Sequence, residues 1–158
     1  MGGTNLIDWS PAMTLVPETD AKAVLRSYVA AVEAGDEATL RASFADDATW
    51  TLAAGDLPIA GTWRGRDAIL GEFLAGAMAR YEPGSIDLEI TGMIGEGDTV
   101  VLQWTRRART RTRTGRAYEN GCIGVFTVRD GRIQAVREYM DTLYAGVVAF
   151  PDVLAATA

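Results

Sequence analysis

Apolar residues recur at helical spacing near the start of the chain, where Val24, Leu25, Tyr28, Val29 and Val32 make one stripe. That spacing predicts an amphipathic helix, with Thr19 or Asp20 as its cap and Gly35 as its stop. Asp36 then caps a shorter helix that carries Leu40 and Phe44. A strand is expected over residues 48–53, followed by a loop from Gly55 to Gly65, because glycines and Pro58 interrupt any period there. A third helix is predicted over residues 66–81. Beyond it the period changes to that of strands, in four runs over residues 86–94, 99–109, 117–128 and 132–141. Their separators are Gly95-Glu96-Gly97-Asp98, Thr112-Arg113-Thr114-Gly115 and Arg129-Asp130-Gly131, all suited to hairpin turns.

With 158 residues the chain has room for one core and is too short for two. Residues 1–18 read as an N-terminal extension around Pro11 and Pro17, with Trp9 and Leu15 available to pack on the domain. Residues 19–145 form the domain. Residues 146–158 form a mostly apolar tail, suited to closing a pocket or covering a partner. No apolar run is long enough to span a bilayer, and the first residues lack the pattern of a signal peptide, so a cytoplasmic protein is expected.

Charge and residue usage narrow the chemistry. The net charge of −6 argues against a nucleic-acid partner. The chain has no histidine, which removes Ser-His and Cys-His dyads and most zinc sites. No cluster has metal-ligand spacing, and Asp46 and Asp47 read as solvated residues, so neither a metal nor a cofactor is expected. Lys22 is the only lysine, placed at an exposed helix start. Carboxylates and tyrosines are left to move protons. Arg106, Arg107, Arg109, Arg111, Arg113 and Arg116 make one basic cluster, read either as a solvated hairpin tip or as an anion clamp.

Glu138 is the first candidate. On an ideal strand it shares a face with Gln134, Val136 and Met140, where poor solvation raises a carboxyl pKa toward that of a general base or acid. Asn120 and Cys122 lie two apart and share a face, and nothing nearby in sequence would activate the Cys122 thiol. Trp50, Trp63, Phe73 and Met78 are available as apolar walls, and Asp56 lies in a loop that could border a mouth. Trp104 and Phe126 are expected on the opposite, outer side of the sheet, where they would support a homodimer.

The segments from Arg26 to Asp36, Phe44-Ala45-Asp46-Asp47-Ala48-Thr49, Gly124 to Ile133, and Val136-Arg137-Glu138-Tyr139-Met140-Asp141 resemble one group of families. These are the ketosteroid isomerases, the SnoaL polyketide cyclases and the limonene epoxide hydrolases, which share the fold of nuclear transport factor 2. The resemblance implies an α+β, cone-shaped barrel, with a curved, mainly antiparallel sheet wrapped around helices and one apolar pocket. It places Glu138 where the cyclases and hydrolases carry a catalytic aspartate, and Tyr28 where the isomerases carry an oxyanion-hole tyrosine. It also implies that Asn120 and Cys122 line the pocket, Asn120 orienting a substrate oxygen or a water.

Departures are as informative. The isomerases' base falls on Leu52 and their second oxyanion donor on Gly124, so both acids are missing. The hydrolases' water-binding Tyr and Asn fall on Trp50 and Leu52, and no acid accompanies the arginines near Gln103 to Arg107. The cyclases need chiefly an acid at 138. The implied function is a cofactor-independent acid-base enzyme acting on a hydrophobic, carbonyl-bearing small molecule, as a polyketide cyclase or isomerase working through an enolate. Catalytic roles go to Glu138, Tyr28 and Asn120. Substrate contacts go to Trp50, Leu52, Asp56, Trp63, Phe73, Cys122 and Met140. Open alternatives are a non-catalytic protein binding a hydrophobic small molecule, an epoxide hydrolase-like enzyme with an altered site, and a protein-binding adaptor.

Overall fold

The computed structural model describes residues 20–52, 57–111 and 115–152. The proposed extension over residues 1–18 lies outside that set, as do Asp56, Arg113 and the end of the tail. Helix α1 (Asp20–Ala34) buries Ala21, Leu25, Tyr28 and Ala31 on one face, the i, i+3/i+4 spacing of its apolar stripe. Asp36 caps α2 (Glu37–Ala42) by accepting the Thr39 backbone N–H at 3.1 Å. The helix ends earlier than its periodicity predicts. Phe44 belongs to strand β1 (Phe44–Leu52) instead, because its ring is fully buried beneath Tyr28.

The predicted loop after β1 contains a short strand, β2 (Gly61–Arg64), which pairs antiparallel with β1 and sets Trp63 opposite Trp50. Helix α3 covers residues 66–78. Its middle, Ile69–Leu74, is π-helical, between the α-helical ends Arg66–Ala68 and Ala75–Met78. Strands β3 (Asp87–Glu96), β4 (Thr99–Arg109), β5 (Ala117–Arg129) and β6 (Arg132–Met140) follow as antiparallel neighbours. The β5–β6 turn carries positive φ at both Asp130 (51°) and Gly131 (70°), the geometry that matches strand twist in a tight hairpin. The sheet order is β2-β1-β6-β5-β4-β3, with β1–β6 its one parallel pairing. Asp141 ends β6 and caps α4 (Thr142–Ala149), accepting the Tyr144 backbone N–H at 2.8 Å. The expected tail thus begins inside a helix whose Val148 and Ala149 are buried, with Phe150 under the Arg80 guanidinium at 4.6 Å.

This is the α+β fold expected, a six-stranded curved sheet with helices laid across its inner face. Even-numbered residues of β4 and β5 point inward: Val100, Leu102, Trp104 and Arg106 on one, Tyr118, Asn120, Cys122, Gly124, Phe126 and Val128 on the other. Trp104 and Phe126 are therefore core residues, not outer-face ones, at 7% and 1% exposure. Gly124 makes that packing possible, since a Cβ there would meet the Phe126 ring at 2.5 Å and the Trp104 ring at 3.2 Å. The outer face instead shows Ile94, Ile123 and Tyr139. In β6 an extra residue between Ile133 and Ala135 shifts the register against β5. Ile133, not Gln134, consequently shares the buried face of Val136 and Glu138.

Candidate active site

The inner face of the sheet and α1, α2 and α3 enclose a cavity of about 260 Å³. Val29, Val32 and Leu40 come from the first two helices, Leu74 and Met78 from α3. Leu88, Ile90, Leu102, Trp104 and Phe126 form the sheet wall. Five lining residues carry polar groups: Tyr28, Trp50, Trp104, Arg106 and the exposed Glu33.

Two of those five, Trp50 and Arg106, reach Glu138, which is 2% exposed and stands behind the wall. Parallel pairing of β1 and β6 puts Leu52 opposite Glu138 and Trp50 opposite Val136. From there the Trp50 indole N–H donates to Glu138 Oε2 at 2.9 Å. Arg106 reaches the other oxygen from β4, with Nη2 at 3.8 Å from Oε1. That separation is an ion pair, too long for a hydrogen bond. Glu138 Oε1 and Arg106 Nε are both buried without a hydrogen-bond partner. Such atoms are uncommon in folded interiors, because each forgoes the solvation it had in water.

The electrostatics follow from this burial. Desolvation raises the Glu138 pKa above its ordinary 4.5, while Arg106 and the Trp50 bond pull the other way without offsetting it. Burial also opposes the charge on Arg106, yet the Glu138 carboxylate prevails and holds the guanidinium more firmly protonated than usual. The pair is lopsided, with a guanidinium held charged beside a carboxyl that holds its proton more firmly than an ordinary glutamate. Burial, assisted by Glu138, raises the Tyr28 phenol well above its ordinary 10.0, so it stays a neutral donor. Its ring is fixed edge-on to Phe44 at 5.7 Å and against Phe126 at 6.0 Å.

The other candidates sit elsewhere. The Asn120 amide donates to the Tyr118 hydroxyl at 3.0 Å and to the Asp141 carbonyl at 2.9 Å, and its oxygen accepts the Asp141 N–H at 3.2 Å. Those bonds pin the end of β6 to β5, away from the cavity wall. Cys122 is buried with its thiol pushed up to about 12 by desolvation, so it is not a ready thiolate. Trp63 and Phe73 stack behind Trp50, with centroids 5.7 Å apart and Phe73 5.4 Å from Trp50. Leu52 is buried and Met140 half-buried against the core. Among the sequence candidates, Tyr28, Trp50 and Met78 form the wall and Glu138 stands behind it.

Arg106 belongs here and not with the hairpin arginines. Its even number, two beyond Trp104, carried that information. The described arginines that remain in the hairpin cluster are surface groups: Arg107 meets Glu89 at 2.7 Å and Glu119 at 3.2 Å, and Arg109 meets Glu82 at 3.7 Å. Among the described residues no group of three or more His, Cys, Asp or Glu is arranged to hold a metal. No helix there is long and apolar enough to cross a membrane.

A SnoaL-like domain model matches residues 25–136, most of the chain and nearly all of the fold just described. The chain belongs to the SnoaL-like domain family. Among solved structures, Bal32a from a soil-derived mobile gene cassette is 26% identical, covering 85% of this chain and 95% of its own, with a TM-score of 0.69. An NTF2-like protein from Burkholderia thailandensis is 25% identical over 82% of this chain and 95% of its own, with a TM-score of 0.71. A protein assigned as a SnoaL-like polyketide cyclase, from a Jannaschia species, shares the fold at 12% identity, covering 83% of this chain and 92% of its own with a TM-score of 0.70. No curated protein matches the sequence.

Proposed function

We propose that this SnoaL-like protein is a cofactor-independent acid-base enzyme acting on a small, hydrophobic, carbonyl-bearing molecule. The observation that carries the reading is a single carboxyl group, Glu138, buried at 2% exposure with one oxygen unpartnered beside an apolar cavity. A desolvated carboxylate is a stronger base than a hydrated one, and its raised pKa brings proton transfer toward neutral pH. Glu138 would remove a proton beside the carbonyl, and Tyr28 with Arg106 would stabilise the enolate oxygen that develops. Isomerisation and aldol-type cyclisation both proceed from that enolate.

The test needs no knowledge of the natural substrate. 5-Nitrobenzisoxazole is a small apolar ring that opens when a base removes one proton, giving a coloured phenolate. The wild type is expected to accelerate this opening and Glu138→Gln to lose about 100-fold or more of it, the usual scale for a general base. Acceleration that survives in Glu138→Gln contradicts the reading. A second reading, a non-catalytic binder of apolar molecules, draws on the absence of Glu138 itself from the cavity lining. Ring binding without acceleration by the wild type would favour it. A homodimer is also proposed, now through Ile94, Ile123 and Tyr139 on the outer face. Sedimentation should then show a dimer at micromolar concentration, and a monomer would contradict it.

A further inference from the structure

The deep end of the cavity presents more cation than anion. Arg106 lines the wall with its side chain 10% exposed, while its counter-charge stands behind the wall on Glu138. At 3.8 Å the ion pair consumes no N–H of the guanidinium and Nε is unpartnered, so the neutral Tyr81 hydroxyl is its bonded neighbour. Of the three unpartnered buried side-chain atoms among the described residues, two, Arg106 Nε and Glu138 Oε1, belong to this one pair, and the third is Arg66 Nε. Tyr28 adds a neutral phenol to the same wall. At the other extreme Glu33 lines the cavity as an exposed residue, opposing a second negative charge there. The volume of about 260 Å³ is smaller than most drug-sized sites. A one- or two-ring skeleton fills it.

We propose that the pocket selects compact ring compounds bearing one acidic oxygen group, bound as the anion against Arg106, with Glu138 taking up one proton from solvent as the ligand enters. This rests on the cavity being the functional site and goes further by naming the substrate class and Arg106 as its specificity residue. The physical reason is charge accounting. A carboxylate or enolate anion beside an ionised Glu138 would bury two negative charges around one guanidinium; protonating Glu138 leaves one of each sign. The protonated carboxyl then has an O–H to donate, where the ionised form had only acceptors. Around the pair, Tyr28, Tyr81 and Cys122 are all held neutral by burial, as is Tyr118 next to Tyr81, and Trp50 carries no titrating group. Among these described neighbours Glu138 is the group placed to accept the proton.

The probes are 2-naphthoate and its neutral isostere 2-naphthamide, with binding read by calorimetry in buffers of different ionisation enthalpy. Wild-type protein should bind the carboxylate at least about tenfold more tightly, the scale of a charge-assisted hydrogen bond, and take up protons with it, rising toward one per ligand as pH rises through the Glu138 transition of the free protein. Glu138→Gln mimics the protonated acid, so it should keep or strengthen carboxylate binding while proton uptake disappears. Arg106→Gln should lose the preference. Because that variant strands a buried carboxylate, Arg106→Gln with Glu138→Gln serves as the folded check, and it too should bind both probes alike. Binding of both probes equally by the wild type, binding of neither, or a carboxylate preference that survives without Arg106 overturns the proposal. Proton abstraction from 5-nitrobenzisoxazole is a separate readout, so either claim can fail while the other stands.

Discussion

Arg106 and Arg107 are neighbours on one strand and live in opposite environments. Arg107 faces outward with its side chain 41% exposed, and Glu89, Glu119 and Asp87 all lie within 3.7 Å of it. Arg106 faces inward with its side chain 10% exposed and one carboxylate at 3.8 Å. The better-partnered arginine is the one expected to matter less. In water an ion pair gains little, because solvent already satisfies both charges. In the interior a long, under-bonded pair is costly to keep, and its persistence there points to a role beyond stability. The alternation of a β-strand separates the two outcomes by a single residue.

The comparison breaks most visibly through Arg106. Arg106→Met should lower the unfolding free energy by about 3–5 kcal/mol in chemical denaturation near pH 7, because it strands Glu138 in the interior. Neutralising both partners together, as Arg106→Met with Glu138→Gln, should recover most of that loss. Next in size is turnover in Glu138→Gln, described above at about 100-fold or more. Tyr28→Phe keeps the ring contacts with Phe44 and Phe126 and removes only a donor, so acceleration should fall by about tenfold with the unfolding midpoint little changed. At the small end, Arg107→Ser should leave both the thermal midpoint and the acceleration unmoved. A large loss in that variant would mean that exposure is no guide to importance on this sheet.

Acidity sharpens the same contrast. Because the folded-state pKa of Glu138 lies above its unfolded value, the folded protein holds a proton that the unfolded chain releases first. Its contribution to stability is present in full below the unfolded value and is lost as pH rises through the folded one. Denaturant midpoints should therefore fall across that window in the wild type and not in Glu138→Gln. Trp50→Phe removes a bond that favours the ionised form, so it should move the window to higher pH.

Much of the fold was legible because glycine-rich turns punctuate long β-runs, as Gly95-Glu96-Gly97-Asp98 and Arg129-Asp130-Gly131 do. Strand β2 was not, since its four residues begin at a glycine and are mostly exposed, leaving no alternation to read. Gln134 was misplaced by an extra residue that resets the parity of β6, which no ideal-strand argument anticipates. The site was half legible. Glu138 and Tyr28, singled out from sequence, lie at the cavity, whereas the charge run hides Arg106, whose parity with Trp104 is the signal that places it there. The same parity, carried from Asn120 and Cys122 along β5, puts Phe126 in the core. Asn120 shows the limit of that signal: it faces inward as expected, yet its amide is spent on Tyr118 and Asp141.

The central claim is that Glu138 is a desolvated acid beside a permanently charged Arg106. Infrared difference spectroscopy between wild type and Glu138→Gln, followed against pH, reads the carboxyl C=O stretch of that residue directly. A protonated band should persist above pH 4.5, the ordinary glutamate value, and disappear in a single transition at higher pH. A carboxyl already ionised at or below that value would show that Arg106 and Trp50 outweigh desolvation, and would contradict the account.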